Sequence, residues 1–165
     1  MIQCLSQVYF DKLTEIRLWN LATGEELKTF SGHSDSVNAV AVTPNGKKVI
    51  SGSGDKTLRL WNLATGKKLK IFRGHSGPVT AVAVTPNGKQ VISGSRDRTL
   101  KLWNLETGEE ILTFSGDSSI ACCAVAPDGV TIVAGESSGL LHFLRWEGIE
   151  TSPPNCLPNR ISANN

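Results

Sequence analysis

The sequence predicts an all-β fold, and three observations carry the prediction. A period of 42 residues runs through the chain: it separates Trp19, Trp61 and Trp103, and equally Gly32, Gly74 and Gly116. Within each period, short apolar and β-branched runs are separated by turn signals rich in Gly, Pro and Asn. Laying 32–73 over 74–115 gives 28 identities in 42 positions, so two near copies stand between two altered units. One such unit has too little core to fold alone, and successive units must stack. Four antiparallel strands in roughly 40 residues, with Gly-His and Trp markers, describe a β-propeller blade.

Taken in order, 1–31 reads as a degenerate first blade, 32–73 and 74–115 as complete blades, 116–149 as a degenerate last blade and 150–165 as a mobile tail. The first blade offers strands at Ile2–Tyr9, Glu15–Trp19 and Leu27–Phe30. In the second, Val37–Val42 is small and β-branched throughout, which predicts a strand buried on both faces. Thr43-Pro44-Asn45-Gly46-Lys47 is a tight hairpin loop: Pro pre-sets the first turn position, Asn tolerates the second and Gly takes the left-handed one. Val49–Gly52 is the second strand. Leu58–Trp61, the third, alternates outward-polar with inward-apolar residues, and after Ala64-Thr65-Gly66 the outermost strand is Leu69–Phe72. The same pattern returns at 79–114, and the last blade supplies Ile120–Val125, Thr131–Ala134 and Leu140–Leu144. Pro153, Pro154 and Pro158 mark the tail.

Composition narrows the class. With 165 residues, 39% hydrophobic and a net charge of +2, the chain can bury a core, and disorder is excluded for most of it. No run approaches the roughly 18 consecutive apolar residues of a membrane span. The start, Met1-Ile2-Gln3-Cys4, lacks the basic residues and cleavage site of a signal peptide, and no Asn-x-Ser/Thr sequon occurs, so a cytoplasmic protein without membrane contact is expected. Cys4, Cys122, Cys123 and Cys156 form no C-x-x-C pair and read as reduced thiols, with Cys122 and Cys123 on opposite faces of a strand.

Gly32-His33 leading to Leu60-Trp61-Asn62, and Gly74-His75 leading to Leu102-Trp103-Asn104, resemble WD40 repeats. Asn20, Asn62 and Asn104 stand where that motif usually ends in Asp. The near identity of neighbouring units resembles the highly repetitive WD40 proteins of bacteria, notably cyanobacteria. Ser138–Arg145 is similar to the closing repeat of large bacterial signalling proteins that join WD40 propellers to NTPase modules. The resemblance covers about 1–149 and is strongest over 32–116. It implies a structural tetrad in each complete unit: His33, Ser51, Asp55 and Trp61, then His75, Ser93, Asp97 and Trp103. In such a tetrad the Asp holds the His, the His meets the Ser, and the Ser accepts from the indole N–H.

Those are also the residue types of a nucleophilic triad, in which a Ser–His–Asp chain activates a hydroxyl for acyl transfer. The structural reading is favoured because the set recurs, whereas a catalytic site is needed once, and because no G-x-S-x-G elbow or oxyanion donor is evident. In the last unit Asp117, Ala134, Ser138 and Leu144 replace all four members together, and Trp146 falls two positions late. The first unit keeps Trp19, but Asp11 is eight residues before it instead of six. Gly52–Thr57 is only a broken phosphate-loop pattern, since Asp55 interrupts Gly-Lys-Thr. His33, His75 and His142 lack metal-ligand spacing. Lys56, Arg59, Arg73, Arg96 and Arg98 can touch phosphate, yet a net +2 makes no nucleic-acid footprint. No catalytic residue, metal or cofactor is expected.

At 42 residues per unit, 165 residues make 3.9 units, about half of a seven- or eight-bladed ring. A half-ring leaves an apolar face of roughly 500 Å² wet at each end, which forfeits on the order of 12 kcal/mol. The expectation is therefore a two-fold homodimer of half-propellers closing as eight blades, with a C-terminal fragment of a longer propeller as the rival. The expected function is a non-catalytic scaffold for a protein or peptide partner. Among the differences between the two complete units, Asp35/Gly77, Ser36/Pro78, Gly54/Arg96 and Lys56/Arg98 all fall in loops on one side, and others cluster at Ala64/Glu106 and along the outer strand. Asp35, Ser36, Lys56, Arg96 and Arg98 are the candidate contacts, although drift at tolerant surface sites explains the differences equally well. Two other classes stay open: a chain whose main partner is itself, and a hydrolase hidden in the tetrads. A serine-directed acylating probe that labels Ser51 or Ser93 distinguishes the second.

Overall fold

The computed structural model describes residues 14–146. The strand expected at Ile2–Tyr9, together with Cys4, Asp11, Cys156 and the tail from 150, lies outside them. The described residues form four antiparallel sheets in succession. The first pairs β1 (Glu15–Trp19) with β2 (Glu26–Ser31). The second runs β3 (Val37–Val42), β4 (Lys48–Ser53), β5 (Thr57–Asn62), β6 (Lys68–Arg73), and the third β7 (Val79–Val84), β8 (Gln90–Ser95), β9 (Thr99–Asn104), β10 (Glu110–Ser115). The fourth holds β11 (Ile120–Val125), β12 (Thr131–Glu136) and β13 (Leu141–Arg145). Successive sheets pack on one another, and among the described residues no closed ring is formed.

Local chemistry fixes the turns. Gly46 takes φ +68°, and its N–H donates to the Thr43 carbonyl at 2.8 Å, while the Asn45 side-chain oxygen accepts the Lys47 N–H at 3.0 Å. At the next turn the Asn62 side-chain oxygen accepts the Thr65 N–H at 2.9 Å, as Asn104 accepts from Glu106 and Asn20 from Ala22. A carboxylate there accepts the same bond, which is why Asn serves in place of Asp.

Burial departs from the single-strand reading in two places. β3, expected to be buried on both faces, is half-buried and exposes Asn38, because it is an edge strand of its sheet. The central strands β4 and β5 are the covered ones, and Arg59, expected to point outward, is only 8% exposed. Cys122 and Cys123 do lie on opposite faces: Cys122 is exposed, and Cys123 packs against the core between the third and fourth sheets.

Sheets pack face to face at close range. A Cβ on Gly52 would lie 2.5 Å from Val79 Cγ1, and one on Gly94 would lie 2.5 Å from Ile120 Cγ2, so the next sheet's first residue presses into each glycine. Phe30 meets Trp61, and Phe72 meets Trp103, edge to face at 6.0 Å. Asn38 Nδ2 donates to the Val79 carbonyl at 2.8 Å, and Thr80 Oγ1 to the Ile120 carbonyl. The fourth sheet packs Cys123, Val125, Ile132, Ala134 and Leu144 against the third. Its other face carries Cys122, Ala124, Val133, Gly135, Leu141 and Phe143. Leu141 and Phe143 are 59% and 74% exposed, whereas Leu100 and Leu102 at the same positions of the third sheet are 2% and 1% exposed.

Gly52→Ala or Gly94→Ala forces a methyl into this contact and is expected to cost about 1–3 kcal/mol. Urea unfolding monitored by tryptophan fluorescence reads the loss; an unchanged midpoint in both variants refutes the tight inter-sheet approach.

Candidate functional site

One hydrogen-bonded chain runs through each complete sheet. His33 comes from the loop after β2, Ser51 from β4, Asp55 from the β4–β5 turn and Trp61 from β5. His33 Nδ1 lies 2.7 Å from Asp55 Oδ2, His33 Nε2 lies 2.7 Å from Ser51 Oγ, and Trp61 Nε1–H donates to Ser51 Oγ at 2.9 Å. In the third sheet the matching distances through Asp97, His75, Ser93 and Trp103 are 2.9, 2.8 and 2.8 Å. Burial pushes the Asp55 carboxyl up, but hydrogen bonds from Thr57, His33 and the Ser34 N–H outweigh it and bring it down to about 2. Asp97 is lowered by the same kind of donors, again against burial. Each carboxylate is therefore an acceptor only, so Nδ1 carries the imidazole proton and the Ser hydroxyl donates to Nε2. Burial, the largest influence, holds His33 and His75 below the ordinary histidine value against the pull of their carboxylates.

This arrangement is poorly suited to acyl transfer. Ser51 and Ser93 are 0% exposed, and a lone pair of each oxygen is taken by an indole N–H, which opposes nucleophilic attack. What the chain does is satisfy four buried polar groups and tie the loop before the sheet to the turn between its central strands.

In the fourth sheet a different carboxylate stands in, and sequence reasoning missed it. Glu136, whose side chain is buried, accepts the Asp117 N–H and His142 Nε2–H at 2.9 Å each and Ser138 Oγ–H at 2.9 Å. The hydrogen bond from His142, helped by the others, holds its carboxyl below the ordinary value against burial. His142 in turn lies edge to face on Phe114, ring centroids 4.9 Å apart. Glu136 occupies the strand position of Ser53 and Ser95, and a buried-type strand ending in Glu six residues before a His was the signal available. Trp146 packs against the core between these last two sheets.

The candidate contact residues fall at the end of the sheets that carries the His–Asp bonds. Asp35 and Ser36 are half-buried beside the β4–β5 turn, where Gly54 N–H donates to the Ser36 carbonyl at 2.8 Å and Ser53 Oγ to the Asp35 carbonyl at 2.9 Å. Lys56, Arg96 and Arg98 are exposed. Lys56 and Arg98 hold φ of 67° and 69°, where the fourth sheet has Gly139 at φ 91°. Arg96 lines a cleft of about 390 Å³ with Asn38, Thr80, Ser119, Ala121 and Ser137. Among the described residues no cluster of His, Cys, Asp or Glu could hold a metal ion, and no helix is long and apolar enough to cross a membrane.

The family model for the WD domain, G-beta repeat, matches residues 24–62, 66–104 and 108–143. The chain belongs to the WD40 repeat family. Each WD40 motif takes the outermost strand of one sheet and the three inner strands of the next, so the motif itself laces sheets together. The family is one of non-catalytic interaction modules. A Lissencephaly-1 homolog of Paramecium tetraurelia is 44% identical over 57 residues, 34% of this chain and 14% of that protein. An uncharacterized WD repeat-containing protein of Schizosaccharomyces pombe is 40% identical over 43 residues, 26% of this chain and 11% of that protein. The periodic tryptophan protein 2 homolog of Neurospora crassa is 42% identical over 43 residues, 26% and 5% of the two chains. The chain thus spans only a small part, 5–14%, of these relatives. They are fungal and ciliate proteins, which corrects the likeness to the repetitive bacterial and cyanobacterial type: the family stands and that assignment does not.

Because the folded histidines bind a proton less readily than their ordinary value of 6.5 allows, their stabilisation is complete above that pH and is lost as pH falls below it. Asp55 adds a second loss between its ordinary 3.8 and about 2. The unfolding temperature is expected to fall from pH 6.5 downward, with a shallower slope between pH 6.5 and 5 in a His33→Gln, His75→Gln double variant. Ser51→Ala orphans the indole N–H and is expected to cost about 1–3 kcal/mol per unsatisfied group. Parallel slopes, or an undiminished Ser51→Ala protein, overturn the role given to the network.

Proposed function

We propose that this WD40 chain is a non-catalytic protein–protein interaction scaffold of the cytoplasm that assembles with a second copy of itself into an eight-bladed ring. The observation that carries the reading is the uncovered apolar face of the fourth sheet. Its residues match in kind those that the second and third sheets bury, and among the described residues nothing covers it. A complementary feature stands on the first sheet. Ile16 and Leu18 pack toward the second sheet, which leaves Trp19 on the opposite face and 37% exposed, whereas Trp61 and Trp103 are 2% and 1% exposed. Docking the fourth sheet of one copy against the first sheet of another covers both, and a two-fold axis repeats the contact to close the ring.

Protein partners then meet the loop end of the ring through Asp35, Ser36, Lys56, Arg96 and Arg98. Left-handed backbone at a non-glycine residue costs free energy, and two sheets keep a basic side chain there although glycine serves the fourth. That favours a use for the Lys56 and Arg98 side chains. The second reading, a fragment of a longer propeller, draws on the small share of the relatives' length that the chain matches, and in it a further blade covers the same face.

Light scattering across a dilution series tests the assembly. A species of twice 17.7 kDa that persists on dilution is expected, and Phe143→Glu is expected to bring it to 17.7 kDa with the β-sheet circular dichroism retained. A monomer at micromolar concentration overturns the dimer, and a polydisperse aggregate that Phe143→Glu disperses favours the longer propeller.

A further inference from the structure

Three sheets repeat a cation two residues before the tryptophan of the strand beside their outer strand: Arg17, Arg59 and Lys101. In two of them the outer strand supplies its carboxylate from the residue opposite that tryptophan. Glu26 pairs in register with Trp19, and its Oε2 lies 3.7 Å from Arg17 Nη1. Glu110 pairs with Trp103 and meets Lys101 Nζ at 2.9 Å, where Thr113 Oγ1 also accepts at 2.8 Å. In the second sheet the residue opposite Trp61 is Lys68, and Ile71 replaces the threonine.

Arg59 is left short of partners. Its side chain is 10% exposed, and its Nε is buried with no hydrogen-bond partner among the described residues. The nearest carboxylate oxygen, Asp55 Oδ2 at 3.5 Å, already accepts from His33 and the Ser34 N–H. Gly32 makes room at the head group, since a Cβ there would lie 2.6 Å from Nη1. A buried guanidinium with an unmet N–H is costly, and an exposed Lys68 adds like charge where the neighbouring sheets have an acid. The edge strand continues the sign at Arg73 and has no carboxylate, while Lys70 turns to the third sheet, where its ammonium donates to the Glu106 carbonyl.

We propose that Arg59 and Lys68 form a binding site for a carboxylate presented by an acidic segment of a protein partner. The ligand is a carboxylate because a glutamate fills the equivalent position in the sheets on either side, and the guanidinium fork matches its geometry. A protein segment supplies it, because the exposed Lys68 and Arg73 stand on an edge strand that an extended acidic chain can follow. The site rests on the interaction-scaffold reading, but its readout is independent of oligomeric state.

The test follows the Arg59 Nε–H resonance of the ¹⁵N-labelled full chain during titration with a hexaglutamate peptide at constant ionic strength, and with sodium phosphate in parallel. A saturating shift with the peptide is expected. Lys68→Glu supplies from within the chain the carboxylate that Glu110 supplies to Lys101, and is expected to weaken binding at least about tenfold. Lys68→Gln, which removes the charge without filling the site, is expected to weaken it less. No saturating shift, or equal binding by the Lys68→Glu protein, overturns the site. Saturation by phosphate but not by the peptide overturns the carboxylate and the protein partner.

Discussion

A β-sheet that is apolar on both faces has to be covered twice, and the rest of this molecule depends on that requirement. The second and third sheets bury Ile50, Leu58 and Leu60, and Ile92, Leu100 and Leu102, on one face, with Trp61 or Trp103 on the other. Neither face can be left to water at ~25 cal/mol per Å², so a sheet is stable only between neighbours. Glycine is the device that lets neighbours close. At Gly52 and Gly94 the missing side chain admits Val79 and Ile120, which are 0% exposed as a result. The central strands gain complete cover from this geometry, and the edge strands are the ones left half open.

The polar networks follow from the same burial. Packing the sheets this tightly takes an indole N–H, a hydroxyl and an imidazole out of water at the end where loops cross, and each needs a partner there. The Asp–His–Ser–Trp chain meets every need at once, with the charge placed at the loop end. Glu136 shows that the requirement is for a carboxylate at that junction and not for one particular set of residues. Having lost the tetrad serine and tryptophan, the fourth sheet has no buried indole to satisfy, and a Glu from the strand end captures the loop N–H and His142 directly. The loops pinned by these networks hold four of the positions at which the two near-identical units differ.

Much of this was legible in the sequence because it repeats. The period, the strand order within a sheet and the Asn-Gly hairpins can be read from residue type and spacing alone, and both His–Ser–Asp–Trp sets follow from the resemblance to WD40 repeats. Burial was less legible, because it depends on which strand lies beside which. Val37–Val42 has the composition of a doubly covered strand but stands at a sheet edge, and Arg59 has the charge of an outward residue but lies in a sheet centre. Glu136 was not legible because its carboxylate enters from a strand position that is serine in the other sheets and no member of the tetrad. Near identity between neighbouring units reports how the repeats resemble one another inside this chain. It carries no information about source, which is why it pointed to bacterial proteins while the relatives are fungal and ciliate.

The outer strands show where a fold of this kind can vary. β5 and β9 differ only at Arg59/Lys101, whereas β6 and β10 share only the phenylalanine at Phe72 and Phe114. That residue is kept because it crosses to the next sheet, onto Trp103 and His142. Lys70 also reaches the next sheet, its ammonium donating to the Glu106 carbonyl, but the free edge of an outer strand faces solvent, so a change there disturbs few contacts. The sign of charge can therefore invert between β6 and β10 at little cost to packing. The cation facing each strand belongs to the sheet centre and does not follow the change: Arg59 stays, and the outer-strand glutamate that answers Arg17 and Lys101 is a lysine beside it.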